Sequence, residues 1–182
     1  MALNLSTLSI ALGLLVALPN FLGVLKPAAF GAAARKFPRA TPIGWVLVLV
    51  STAWFVWNVR IEPISDFEPL KPFLFTLFIA VGLGTCIFVH DFLAVRGLAV
   101  FLLLLAKLMV DTARFARTDW RLVIVVWAYL LVMAGMWFTI SPWRLRDLIC
   151  WATANETRTR LISALRCAFG LFIAILGCTV FR

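Results

Sequence analysis

The sequence predicts an all-α fold, a polytopic integral membrane helical bundle of about six transmembrane helices forming a single transmembrane domain over residues 1–182. Three observations carry that expectation. Hydrophobic residues make up 64% of the chain and charged residues 14%, with a mean hydropathy of +1.04. Soluble domains run near half apolar and a quarter charged. Apolar runs of the roughly eighteen to twenty residues needed to cross hydrocarbon recur along the whole length. The basic residues gather in the connectors between these runs, and the runs lack the polar faces that a soluble helical core would carry.

Taken in order, Leu5–Leu25 is the first span, interrupted late by Pro19 and Asn20, where a kink is expected because proline removes a helix hydrogen bond. With no Lys or Arg before it, and the Ala32-Ala33-Ala34 run too late for a cleavage site, it reads as a retained span and not a signal peptide. Residues 26–42 open on Pro27, a good helix start, and end on Arg35, Lys36 and Arg39 beside Phe37. That pattern fits a short basic helix lying in the interface, or an ordinary positive loop. The second span, 43–59, carries Trp45 near one end and Trp54 and Trp57 near the other, as indole rings prefer the headgroup boundary. Residues 62–72 hold three prolines with Glu62, Asp66 and Glu68, and that proline density argues against helix. These carboxylates lack the further ligands and glycine turn of a calcium loop.

The third span, 73–89, carries Gly82 and Gly84, which permit close approach of another helix. The segment 90–114 then holds the only histidine of the chain, His90, an Arg96-Gly97 step, and Lys107 before its apolar run has ended. If 90–92 is a tight turn, 93–110 is the fourth span. Arg96 and Lys107 would then stand roughly 16 Å apart at 1.5 Å per residue and snorkel to opposite headgroup layers. Lys107 and Asp111 share one helix face. The alternative is five spans with 93–110 as a re-entrant segment, which would leave backbone groups unpaired unless protein buried them.

The fifth span is 122–140, and Met133, Met136 and the aromatics around them read as packing. Residues 142–160 alternate Trp143, Leu148, Ile149 and Trp151 with Arg144, Arg146 and Asp147, a basic amphipathic helix resting on the membrane. The sixth span is 161–181, with Arg166 snorkelling back toward Arg158 and Arg160. Span, proline, basic helix, span describes 5–59 and again 122–181, so duplicated helix hairpins around a central hairpin 73–110 are a further expectation.

A net charge of +9, from 17 basic and 8 acidic residues, reflects positive-inside bias and affinity for anionic headgroups, with Arg35, Lys36, Arg39, Arg144, Arg146, Arg158 and Arg160 as the headgroup-binding candidates. Nucleic-acid binders cluster Lys and Arg on a solvated face, so no nucleic acid is expected. For six spans the side that bears the connectors after spans one, three and five holds ten basic residues, counting Arg96 and Arg166 just inside the adjoining spans, against seven on the other side. That places both termini outside, but the re-entrant arrangement gives the same balance.

The chemistry-bearing residues are few. His90, Asp91 and Arg96 form a candidate polar cluster. Cys86 is four residues before His90, yet two ligands do not make a metal site. The four cysteines form no CxxC pattern, and no phosphate loop, HExxH, GxSxG or catalytic triad is present. No cofactor, metal or catalytic residue is therefore expected. The expected role is a non-enzymatic scaffold, assembly or accessory subunit with protein partners within the membrane, in a bacterial inner (cytoplasmic) membrane. The second expectation is a small transporter or channel for a small solute or ion. Midplane ionisable residues, which proton or quinone chemistry would need, are essentially missing from the spans.

Overall fold

The structure is a computed structural model, and it describes residues 4–62, 65–89, 91–116 and 118–181. The chain is all helical, with no strand among the described residues. Its helices are α1 (Leu5–Leu25), α2 (Pro27–Lys36), α3 (Thr41–Ile61), α4 (Lys71–Phe88), α5 (Leu93–Arg114), α6 (Arg121–Ile140), α7 (Trp143–Ala152) and α8 (Glu156–Thr179). Six of these, all but α2 and α7, are long and apolar enough to cross a membrane. Long uninterrupted helices are the physical outcome of apolar sequence at this density, because only a helix satisfies every backbone polar group within one segment.

Local chemistry sets the boundaries. Asn4 is the extended residue before α1, and the Thr7 hydroxyl donates to its carbonyl at 2.8 Å. Pro19 leaves α1 unbroken through Leu25. The kink expected there is not a break: the Asn20 side-chain amide donates to the Val16 carbonyl at 2.8 Å, next to the position where proline cannot donate. Residues 65–72 also differ from expectation, while 63 and 64 of the same connector lie outside the described residues. A 3-10 helix covers Ser65–Leu70 and α4 begins directly at Lys71, with Pro72 in its first turn. Proline is tolerated there because a first-turn N–H has no intrahelical acceptor, and Lys71 pairs with Glu68 across the junction at 2.8 Å. Between α4 and α5 the chain reverses at Asp91 and Phe92. Phe92 has φ 55°, a left-handed conformation uncommon for a bulky residue, and its carbonyl caps α5 by accepting from the Val95 and Arg96 N–H groups at 2.9 and 3.1 Å. The Phe92 ring packs on buried Val95, Ala99 and Phe138. That burial offsets a backbone strain of roughly 1–3 kcal/mol.

The described chain divides into two compact units. The first comprises Met1–Lys36, Leu105–Leu131 and Arg146–Arg182. Its centre is the antiparallel pair α1 and α8. The Ser6 hydroxyl donates to the Gly177 carbonyl at 2.8 Å, while Gly13 meets Gly170 and Ala174, and Gly23 meets Ser163. A Cβ on Gly13 would lie 2.5 Å from the Gly170 oxygen, and one on Gly170 would lie 2.7 Å from the Gly13 oxygen. Only glycine lets the two backbones approach so closely. In the same unit, Trp127 of α6 stands edge-on to Phe169 of α8 with centroids 5.2 Å apart. Gly31 of α2 contacts Thr153, which follows α7.

The second unit comprises Phe37–Leu104 and Val132–Leu145. Here α3 and α4 run antiparallel, with Thr52 against Gly82 and the Phe55 and Phe78 rings edge to face at 4.6 Å. The first half of α5 runs parallel to α3: Gly44 meets Leu93 and Ala94, Gly97 meets Leu47 and Val48, and Trp54 meets Phe101. Gly135 of α6 lies against Ala99 and Leu103 of α5.

Candidate functional site

The sequence directs attention to the start of α5, and in the second unit this region lines a groove with α3 and α4. Three features of the sequence build it. Gly97 lets α3 come up to the α5 backbone, so that the buried Ser51 hydroxyl donates to the Gly97 carbonyl at 3.3 Å. Gly82 lets α4 close on Thr52. Between these two contacts α4 and α5 stay apart, leaving a cavity of about 270 Å³ bounded by Val48, Phe55, Phe78, Val81, Thr85 and Val100, with Arg96 on its edge.

The groove is apolar along most of its wall and polar at one end. Thr85 turns its hydroxyl to its own helix, donating to the Val81 carbonyl at 2.7 Å. The Ser51 proton is likewise committed to Gly97. Arg96 is exposed, and among the described residues no carboxylate pairs with it. Ion pairs there include Lys71–Glu68, Lys107–Asp111 and Arg146–Asp147, at 2.8, 2.6 and 2.9 Å. Chemically, the arrangement offers an apolar trough with a single cationic side chain near the helix end. Its lining residues carry three hydroxyls, of Ser51, Thr52 and Thr85, and one guanidinium.

Of the candidate polar cluster, His90 lies outside the described residues. Asp91 sits exposed in the turn, and Arg96 lies one turn into α5. The basic candidates are divided between the units. Arg35 and Lys36 end α2 and are exposed, and Arg35 donates to the Gly31 carbonyl at 3.3 Å. Arg146 pairs with Asp147 on α7. Arg158 in the first turn of α8 stacks over Trp151 at 5.3 Å and donates to its carbonyl at 3.4 Å. Arg160, one turn into α8, is exposed. Those five belong to the first unit, whereas Arg39 and Arg144, both exposed, belong to the second. Among the described residues no three His, Cys, Asp or Glu side chains gather as a metal site would require, and the four cysteines are free.

Sequence reasoning reached Arg96, Gly97 and Gly82 but not the groove they share. The missing partners were Ser51 and Thr52, the adjacent hydroxyl residues midway along the second span. A pair of small polar residues deep in an apolar run is the signal that could have located the contact. Compared with protein-family models, with curated proteins and with solved structures, the chain matches none.

Proposed function

We propose that the chain is a non-enzymatic, multi-pass protein of a bacterial inner (cytoplasmic) membrane, a scaffold, assembly or accessory subunit that works by presenting helix faces to other membrane proteins. The observation that carries this reading is the uneven burial of the spans. The span of α5 is 44% buried, against 17% for α3 and 11% for the span containing α4. A span so little used within its own chain has most of its surface available to a neighbour. On α4, Gly84 stands in open space, with nothing nearer to an added Cβ than the Phe88 ring at 4.0 Å, whereas Gly82, two residues away, is filled by Thr52. A small residue without an intramolecular partner is a natural point of close helix approach. The unbroken α1 removes one argument for a transporter, since transporter sites are built on discontinuous helices.

Tagged protein purified from its native membranes in mild detergent is expected to bring a protein partner in fixed ratio. Gly84→Leu is expected to reduce that partner at least tenfold while the protein keeps its own size-exclusion profile. A chain that runs alone, or a partner indifferent to Gly84→Leu, overturns the reading.

Six crossings with both termini on the non-cytoplasmic side belong to the same proposal. The antiparallel α1 and α8 support it, because they bring Ser6 beside Gly177, and first and last spans paired that way require an even number of crossings. The continuous α5, parallel to α3 at its start, supports a full crossing in place of a dip. The ten-to-seven excess of basic residues on one side supports the orientation. The short helices α2, which ends on Arg35 and Lys36, and α7, which carries Arg144 and Arg146, would then lie on the cytoplasmic surface against anionic headgroups. A Thr118→Cys variant in a background without other cysteines is expected to react with an impermeant maleimide from the non-cytoplasmic side alone. Labelling from the cytoplasm overturns six crossings with the termini on the non-cytoplasmic side.

A further inference from the structure

We infer that the groove between α3, α4 and the start of α5 holds the headgroup-proximal part of one acyl chain of an anionic phospholipid whose headgroup is bound by Arg96. This goes beyond the accessory-subunit reading and stands or falls separately from it.

The shape comes first. The cavity of about 270 Å³ lies just below the usual range of roughly 300–1,000 Å³ for small-molecule pockets, too small for a folded metabolite and suited to a slender segment. On α4 it runs from Phe78 to Thr85, about 10 Å at the helical rise per residue, so its long dimension follows the helix axes. Its walls are aliphatic and aromatic, closed at depth by the Phe55 and Phe78 rings packed edge to face. Of the three hydroxyls that line it, those of Ser51 and Thr85 give their protons to backbone carbonyls, and the Thr52 side chain packs against Gly82.

Charge selects the headgroup. Arg96 lies one turn inside α5, on the edge of the groove, and among the described residues no carboxylate neutralises it. A guanidinium presents a planar fork of donors suited to a phosphodiester. The N-terminal end of α5 adds a positive dipole at the same level. The reversal at Phe92 fixes that end through two backbone hydrogen bonds, so Arg96 is held at a set height above the apolar trough. A zwitterionic lipid would bring its own cation to the site and gain less there.

The test uses the full chain in mild detergent, with native mass spectrometry after addition of palmitoyl-oleoyl phosphatidylglycerol or the matching phosphatidylcholine. One phosphatidylglycerol is expected to survive gas-phase activation in preference to phosphatidylcholine. Arg96→Gln is expected to lower its occupancy about tenfold, and Arg96→Lys to restore part of it. Thr85→Phe, which places a ring in the trough and leaves the charge, is expected to remove the bound lipid of either headgroup. Arg39→Gln, a charge removed elsewhere in the same unit, is expected to leave the tight adduct unchanged. A matched size-exclusion profile shows that each variant is folded. Equal retention of the two lipids, or an adduct unaffected by both Arg96→Gln and Thr85→Phe, overturns the inference. So does an adduct lowered as much by Arg39→Gln as by Arg96→Gln, because the lipid would then be held by general surface charge.

Discussion

Replacing Gly13 by leucine is expected to separate α1 from α8 and to lower the unfolding free energy by at least about 3 kcal/mol, the upper end for overpacking a filled interior. That corresponds to more than a hundredfold in the folded-to-unfolded ratio. The first atom of any side chain at this position would lie 2.5 Å from the Gly170 oxygen and 2.6 Å from the Ala174 nitrogen. Both are backbone atoms, so no rotamer change relieves the overlap and the helices must part. As they do, the bond from the Ser6 hydroxyl to the Gly177 carbonyl is lost with the close contacts around it. Gly170→Leu is expected to behave the same way, because its Cβ would meet Gly13 and Ala17 backbone at 2.7 and 2.8 Å. Reversible unfolding in mixed micelles, followed by tryptophan fluorescence, measures the change. Gly84→Ala is the internal control: its Cβ enters open space, so its unfolding curve should match that of the parent within about 0.5 kcal/mol. Destabilisation of the control equal to that of Gly13→Leu would show that glycine on these helices matters through something other than the α1–α8 seam.

Gly97→Ile is expected to open the second unit with a loss of about 2–3 kcal/mol. Its Cβ would stand 2.8 Å from the Leu47 Cβ and 2.9 Å from the Val48 nitrogen. The Leu47 Cβ is fixed to its own backbone and the Val48 nitrogen is backbone, so no rotamer change relieves either contact and α3 must move off α5. Gly44→Ile should act at the neighbouring contact, where a Cβ would lie 2.7 Å from the Ala94 nitrogen. Cys86 offers a local readout. It is 1% exposed and packed with Val48 and Leu93, so in the parent it should resist a small thiol reagent. In Gly97→Ile and Gly44→Ile it should react at least tenfold faster. Ser51→Ala removes the hydrogen bond to Gly97 without widening the contact, and interhelical hydrogen bonds in membranes average only about 0.6 kcal/mol. If Ser51→Ala matched the glycine variants, the contact would depend on the hydroxyl and not on close packing.

The spans themselves were legible because hydropathy reports directly on what the bilayer accepts. The first span, Leu5–Leu25, coincides with α1. The second, expected over 43–59, widens to Thr41–Ile61, and the fourth, expected over 93–110, continues as helix to Arg114. The sixth was expected from residue 161, yet α8 begins at Glu156. Hydropathy marks where hydrocarbon ends, whereas a helix continues into polar residues as long as its backbone bonds propagate. The short helices α2 and α7 could be read from proline at a start and from arginines spaced among aromatics. Proline density misleads over 65–72 because the effect of proline depends on its position: Pro72 stands in the first turn of α4, where it is permissive. The left-handed Phe92 had no sequence signal, since nothing local favours a phenylalanine there.

The sequence by itself determined that the chain is helical, that six of its helices can cross a bilayer, and that its charges lie near the ends of those helices. All of this follows from how single segments partition between water and hydrocarbon. Which helices touch was decided only in the tertiary structure. In lipid every apolar face is equally at home, so hydrophobicity does not choose a partner, and the choice falls to backbone shape. Ser6, Gly13, Ala17, Gly170 and Gly177 are unremarkable where they stand in the sequence, more than 150 residues apart from one group to the other. They become one seam when α1 and α8 run antiparallel. Likewise Gly97 makes a groove beside Arg96 only because Ser51 and Thr52 lie opposite.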